Sequence, residues 1–253
     1  MRQSKESQSK ESIVLLLTAT IDPGATPFVE RSDPQTRLRD YQEALVAWLS
    51  CGAANKIVMF ENSGYDISSL KEIASRYPEH EVEFHSFLGN QSGSSKGKGY
   101  SELLGMAHVL EKSELIKNCR LVAKCTGRLT VGNAKRLFGL IETKEFDVMC
   151  TLKRNLTFAN SRLFVATPAF ILQYLTPQAS IIDDSRGIYL EHALACATAR
   201  AISDRRRWLP FPIFPHIRGV SGTSNVSETF TVRRRALHSV FHWFENYIYE
   251  REG

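Results

Sequence analysis

The sequence predicts an α/β protein: a mainly parallel sheet flanked by helices on both faces, with an amphipathic helix at its C-terminal end. Three observations lead there. Over residues 13–124, apolar runs of strand length alternate with segments whose apolar side chains recur at helical spacing. The intervening helices are long enough for right-handed crossovers, which lay the strands parallel and cover both sides of the sheet. The runs also end in polar residues, namely Thr18 and Thr20, Glu61 and Asn62, Gly89 and Asn90, then 124–128, and ligands bind beyond the carboxyl ends of such strands.

Taken in order, residues 1–12 repeat SKES twice with too little apolar surface to offset the entropy of ordering, which predicts a disordered leader. Residues 13–21 (IVLLLTATI) read as the first strand, and 34–49 as a helix with Leu38, Tyr41, Leu45 and Trp48 on one stripe. A second strand at 56–61 (KIVMFE), a helix at 67–77, a third strand at 82–87 and a helix at 100–114 lead to the strand that ends at Lys124. Further on, 146–151 and 162–166 read as strands, 168–174 as a short helix, and 188–202 as a strong helix with Leu190, Ala193, Leu194 and Ala197 on one face. Residues 208–222, rich in Pro and Gly, predict a loop lying over the domain. Residues 232–251 carry Leu237, Val240, Phe241, Phe244, Tyr247 and Ile248 at helical spacing beside Arg233, Arg234 and Arg235.

At 253 residues the chain suits one large domain, or one domain with a small appendage, and can bury a substantial core without disulfides. Its five cysteines are scattered and show no CxxC spacing, which predicts reduced, mostly buried thiols in a cytosolic protein. No run reaches the ~18 to 20 apolar residues of a membrane span. The net charge of +5 is concentrated in residues 205–207 and 233–235, so it points to a specific anionic ligand or leaflet rather than to nucleic acid, for which no motif is present.

The stretch 121–133, LVAKCTGRLTVGN, places Lys124 and Arg128 around a Thr126-Gly127 turn, with Gly127 permitting a close backbone approach. Two fixed cations there can neutralise a diphosphate without metal; the same pair also fits a strand end with two solvated basic residues. The glycine-rich segment 92–99 precedes a helix, where amides attract phosphate, or it is a surface loop. It is not a Walker motif, because Lys98 is followed by Gly99 rather than Ser or Thr. No histidine spacing indicates zinc.

Together, LLLTATIDPG, RLRDYQEALVAWL, IVMFENSG, KGKGYSELL and KCTGRLTVGN resemble the bacterial GT-A-fold glycosyltransferases of lipopolysaccharide and capsule biosynthesis, over residues 13–222. The resemblance implies a GT-A-like fold with a nucleotide-sugar-binding half at 13–145, an acceptor or catalytic half at 146–230 and the C-terminal helix at 231–253. It implies that Thr18, Thr20, Glu61 and Asn62 line the base and ribose, with Lys98 and Glu102 nearby, Thr126 and Gly127 at the turn and His216 directed towards the diphosphate.

The chain departs from that family where an Asp-x-Asp motif ordinarily holds a divalent cation, since the position reads Lys124-Cys-Thr-Gly-Arg128 and no other such motif occurs. Stabilisation of the leaving group by Lys124 and Arg128 is therefore expected, with no cofactor. Mg2+ or Mn2+ is the alternative, with Asp183 or Asp184 as first candidate ligand, although neighbouring side chains in an extended segment point opposite ways. For the base that deprotonates the acceptor hydroxyl, Glu191 comes first and Asp184 second; a helix-N-terminal acid and a solvated helix face are the competing roles.

The expected function is transfer of a sugar from a nucleotide-sugar donor to a polysaccharide or lipid-linked glycan. It would take place in the cytoplasm, with peripheral contact at the inner, anionic face of the membrane through the last helix. That helix equally fits packing on the domain. The alternatives are a sugar nucleotidyltransferase, whose glycine-rich basic signature is missing after the first strand, and a non-catalytic nucleotide-binding or assembly subunit.

Overall fold

A computed structural model describes residues 11–24, 26, 29–90 and 96–220. Residues 1–10 of the predicted leader, 91–95 of the glycine-rich segment and the whole predicted C-terminal helix lie outside the described residues.

The chain begins with β1 (Glu11–Ala19), α1 (Pro34–Cys51), β2 (Lys56–Glu61), α2 (Ser68–Ser75), β3 (Glu81–Ser86), α3 (Lys98–Lys112), α4 (Glu114–Lys117) and β4 (Cys119–Thr126). It continues through β5 (Leu129–Val131), α5 (Ala134–Glu142), β6 (Val148–Met149), β7 (Leu152–Lys153), β8 (Phe158–Ala159) and β9 (Leu163–Ala166). After α6 (Pro168–Phe170), a π-helical turn and a 3-10 segment lead to a 3-10 turn at Asp184–Arg186, then α7 (Leu190–Ser203), β10 (Trp208–Leu209) and β11 (Ile217–Gly219).

Seven strands form one sheet in the order β10-β6-β9-β4-β1-β2-β3. All are parallel except β9, which runs antiparallel to both β4 and β6. The mainly parallel sheet predicted from the strand and helix alternation is present. The connection from β1 goes outward to β2 and β3, and the chain then crosses back to place β4 on the other side of β1. That reversal opens a crevice at the carboxyl ends of β1 and β4.

Both faces of the sheet are buried. In β1, Leu15 and Leu17 face one apolar cluster with α1 and α5, whereas Val14 and Leu16 face another with α3 and α7. The same alternation governs β4: Leu121, Ala123 and Cys125 join the first cluster and Val122 the second, so Lys124 shares the α3 and α7 side. Helix α1 starts cleanly because the Asp33 carboxylate accepts the Thr36 amide at 2.7 Å and Pro34 occupies the first turn. It stops at Gly52, whose left-handed φ of 56° glycine adopts without strain.

Several element boundaries differ from the sequence expectation. Strand β1 begins at Glu11, inside the predicted leader, because its backbone pairs with Cys119. The predicted strand at 146–151 keeps only two residues of ladder in β6, and the predicted helix at 168–174 is α6 followed by the π-helical turn Ile171–Leu175. The Pro-rich stretch is not all loop: Trp208–Leu209 edges the large sheet, and Ile217–Gly219 pairs with β5. The predicted sequence division at residue 145 falls between α5 and β6, yet strands from both sides of it share one sheet.

Three of the five cysteines, Cys119, Cys125 and Cys150, are buried. Cys125 and Cys150 are enclosed, and desolvation pushes their pKa values up to about 12 and about 11. Cys51 alone is exposed among the described cysteines. No described helix is long and apolar enough to cross a membrane.

Candidate active site

The crevice at the switch point, about 620 Å³ with its open side included, is lined by Thr18, Thr20, Asn62, Lys98, Glu102, Thr126 and Arg128. The sequence anticipates all of these as site residues. Arg37, Tyr41, Ser101 and Asn90 line it as well. Of these, only Asn90 stands out in the sequence, as a strand end. Arg37 has one retrospective signal: it is a charged residue that continues the apolar stripe of α1 one turn before Tyr41.

Backbone and side chains knit the β1 and β2 side of the crevice together. Thr20 Oγ1 donates to Asn62 Oδ1 at 2.6 Å, and Asn62 O accepts the amides of Gly89 and Asn90 at 2.8 and 2.9 Å. Arg37 Nε donates to Thr20 O at 2.7 Å, and Tyr41 Oη accepts from Thr20 N at 3.0 Å. The end of β1 is thereby fixed between α1 and β2.

Arg128 projects into this crevice with Nε and Nη1 buried and lacking any hydrogen-bond partner among the described residues. Burial holds its pKa below the ordinary arginine value; the positive charge of Arg37 adds to that, while Tyr41, Glu102 and Asp40 oppose it. Lys98 is also held low. Desolvation is the largest cause, followed by the opposing attractions of Asp184, Glu191 and Glu102 and then the like charge of Arg128. The sequence-predicted acids and bases therefore converge around Lys98. A buried guanidinium with unmade bonds is costly unless an anion arrives.

Five sequence expectations are corrected by the geometry. Lys124 does not face the crevice: its side chain is 0% exposed, and Nζ lies 2.7 Å from Glu102 Oε1 and 2.6 Å from Ser161 O. The reason is register, since Lys124 sits opposite Leu16 and Phe164 inside the sheet rather than on its end. Glu61 turns into the protein, accepting the amides of Ile21 at 2.9 Å, Ser63 at 3.0 Å and Tyr65 at 2.9 Å, so it organises loops rather than a ribose.

Gly127 provides a close approach to protein rather than to ligand, because a Cβ there would lie 2.8 Å from Thr18 O. His216 stands away from the lining, its amide held by Asn133 Oδ1 at 2.9 Å beside the β5 and β11 pair. Asp184 is a buried helix cap, with Oδ2 accepting the Lys98 amide at 3.1 Å at the start of α3.

The remaining predicted acid, Glu191, lies in the first turn of α7 and accepts from Ser161 Oγ at 2.7 Å. A continuous polar chain results. Thr18 Oγ1 donates to Glu102 Oε1 at 2.7 Å, Lys124 joins Glu102 to Ser161 O, and the Ser161 hydroxyl reaches Glu191. Glu102 is held below the ordinary carboxyl value: burial pushes it up, but the charge and hydrogen bond of Lys124 and the bond from Thr18 outweigh that.

These carboxylates fit a divalent cation poorly. Glu102 is neutralised by Lys124, Asp184 holds the α3 terminus through Oδ2 and leaves only Oδ1 without a partner among the described residues, and Asp183 Oδ1 accepts the Ser185 amide at 3.1 Å in a separate turn. Among the described residues no three His, Cys, Asp or Glu side chains are grouped to hold a metal ion.

No protein-family model matches the sequence, and no curated protein matches it. Among solved structures the chain is similar to the inositol-1-phosphate CTP transferase from T. maritima, with a TM-score of 0.49 and 13% identity over 92% of this chain and 96% of that one. It is similar to a putative glucose-1-phosphate thymidylyltransferase from Bacillus anthracis, with a TM-score of 0.45 and 6% identity over 92% and 95% of the two chains. Mouse xyloside xylosyltransferase 1 gives a TM-score of 0.42 and 10% identity over 79% and 84%. At these scores the likenesses carry no argument about activity, and the functional reading rests on the crevice.

Proposed function

We propose that this protein is a metal-independent, GT-A-like glycosyltransferase that moves a sugar from a nucleotide-sugar donor to a glycan acceptor. The carrying observation is Arg128, a buried guanidinium with two nitrogens unpartnered among the described residues, in a crevice it shares with Lys98 and Arg37. An anion with several oxygens can make the bonds Arg128 lacks while meeting the positive charge of Lys98 and Arg37, and a diphosphate in a crevice at the switch point of a parallel sheet suits that need. The absence of any Lys or Arg between residues 13 and 30 favours sugar transfer over nucleotidyl transfer, which calls for basic residues directly after β1 to hold a triphosphate. The basic aromatic segment at 232–251 keeps a lipid-linked acceptor within the proposal.

In this mechanism the acceptor oxygen attacks the anomeric carbon, the bond from that carbon to the phosphate oxygen breaks, and the nucleoside diphosphate leaves with the electron pair. Arg128 and Lys98 offset the charge that develops on it. Glu191, oriented by Ser161, takes the hydroxyl proton. Lys124 acts from behind by holding Glu102 and Ser161 in place.

The test is a thermal-shift panel of nucleoside diphosphates and nucleotide sugars with and without EDTA, followed by product analysis. Stabilisation that EDTA leaves unchanged, with release of nucleoside diphosphate during turnover, is the expected result. Strict manganese dependence would overturn the metal-free reading, and release of pyrophosphate from a nucleoside triphosphate would overturn glycosyl transfer. Glu191→Gln is expected to spare nucleotide binding and abolish turnover.

A further inference from the structure

The β7 and β8 hairpin leaves the carboxyl end of β6 and returns into β9 through Ser161, whose hydroxyl bonds Glu191, so it lies on the strand-end side of the sheet to which the crevice also belongs. Its tip is unusual in that Arg154, Asn155 and Leu156 take φ values of 51°, 55° and 67° in succession. Of these residue types only Asn enters the left-handed region readily, and such a run persists only where its surroundings over-determine it. Here the Thr157 amide and hydroxyl both donate to Arg154 O, at 3.2 and 2.7 Å.

The turn lays the Arg154 guanidinium 4.5 Å from the centre of the Phe158 ring. Phe158 meets His192 edge-on at 5.3 Å, and His192 lies 5.7 Å from Tyr189. Four planar groups thus run from the hairpin tip to the first turn of α7 and pass the backbone of Glu191. Leu156 and Tyr189 belong to the exposed large hydrophobic residues, at 60% and 40%. The strip is therefore open at its two ends, Leu156 and Tyr189, and half-buried between them at Phe158 and His192.

We infer that this strip is the acceptor subsite, binding a neutral pyranose ring with its C–H face on the exposed Tyr189 ring, its edge against the half-buried Phe158 and one hydroxyl directed to Glu191. Charge separates the two ligands. Arg37, Lys98 and Arg128 line the crevice and draw the diphosphate, whereas Arg154 is the strip's only formally charged member and is held over the Phe158 ring. Aromatic faces with a few polar groups at their edges suit a sugar, which is apolar across its face and hydroxylated around its rim. The inference rests on the glycosyl-transfer reading.

The experiment is saturation-transfer NMR on the full-length chain with the methyl α- and β-glycosides of glucose, galactose and N-acetylglucosamine, in the presence of UDP, CDP or GDP. Thermal shift by the same diphosphates is run in parallel on wild type, Phe158→Ala and Tyr189→Ala. Saturation of at least one glycoside, weakened about tenfold by either substitution while the diphosphate shift is unchanged, is the expected result. An unchanged diphosphate shift with no glycoside saturation, or with saturation indifferent to both substitutions, would overturn the acceptor subsite alone. If none of the diphosphates binds wild type, the glycosyl-transfer reading fails and the acceptor role fails with it.

Discussion

Lys124 and Arg128 stand four residues apart at the end of one strand, and the fold treats them in opposite ways. The ammonium of Lys124 is enclosed and fully used, bridging Glu102 and Ser161. The guanidinium of Arg128 is buried at Nε and Nη1, and no described residue bonds to either. Proximity in sequence therefore says little about shared function. A residue still inside the ladder must be satisfied by the protein for the fold to be stable, whereas one just beyond the ladder can be left for a ligand to satisfy.

Removing the satisfied charge is the most damaging way to break this comparison. Lys124→Met leaves Glu102 charged and half-enclosed without its partner, and loss of one member of a buried pair costs about 3–5 kcal/mol. Chemical denaturation should show this, with the double variant Lys124→Met/Glu102→Gln regaining part of it. An unchanged midpoint in Lys124→Met would mean that the bridge is not structural. The pair also sets an acid sensitivity. Because Glu102 is depressed from its ordinary 4.5, its contribution is complete above that value and is lost as pH falls through the folded-state value. Wild type should lose this component on acidification below about pH 4.5, and the double variant should lack it.

Arg128 should respond in the opposite sense. Arg128→Gln removes an orphaned charge that Arg37 repels, so the ligand-free protein should keep its stability within about 1 kcal/mol. Affinity for nucleoside diphosphate should fall by about 10- to 100-fold, the range of lost hydrogen bonds to a charged group. Equal affinity in calorimetry, with the fold intact, would remove Arg128 from the donor site.

How much of this was legible in the sequence depended on whether local pattern or tertiary register decided the outcome. The strands and helices up to β4 follow from apolar spacing, and most crevice residues follow from the rule that parallel strands end at the ligand. Parity along β4 also carries information: with Leu121, Ala123 and Cys125 on one face, Lys124 falls with Val122 on the side covered by α3 and α7. What parity does not contain is the partner, since Glu102 and Ser161 come from 22 residues before and 37 residues after. The hairpin at 152–159 has no apolar period and its left-handed run no glycine to mark it, whereas helix α5 does carry a helical period, at Ala134, Leu137, Phe138 and Ile141, that the sequence reading passed over. Glu61 misled for a different reason. A carboxylate at a strand end is as useful to loop amides as to a ribose, and only the geometry shows which it serves.

Asp183 and Asp184 sharpen the same lesson at smaller magnitude. Extended backbone sends neighbouring side chains apart, and here one organises its own 3-10 turn while the other crosses to the start of α3. Gly97 makes the second role possible, because a Cβ at that position would overlap the Asp184 carboxylate. Burial raises the Asp184 carboxyl above its ordinary value, although the charge and amide of Lys98 pull the other way. A raised carboxyl favours folding least when ionised, so its contribution declines as pH rises from 3.8 through the folded-state value. Asp184→Ala removes the cap and should cost about 1 kcal/mol at neutral pH. Asp184→Asn keeps an accepting oxygen, should lie closer to wild type, and should lose the pH-dependent decline. If the two substitutions cost the same, the carboxylate is not acting as a cap, and its place beside Lys98 would instead argue for a direct part in the chemistry.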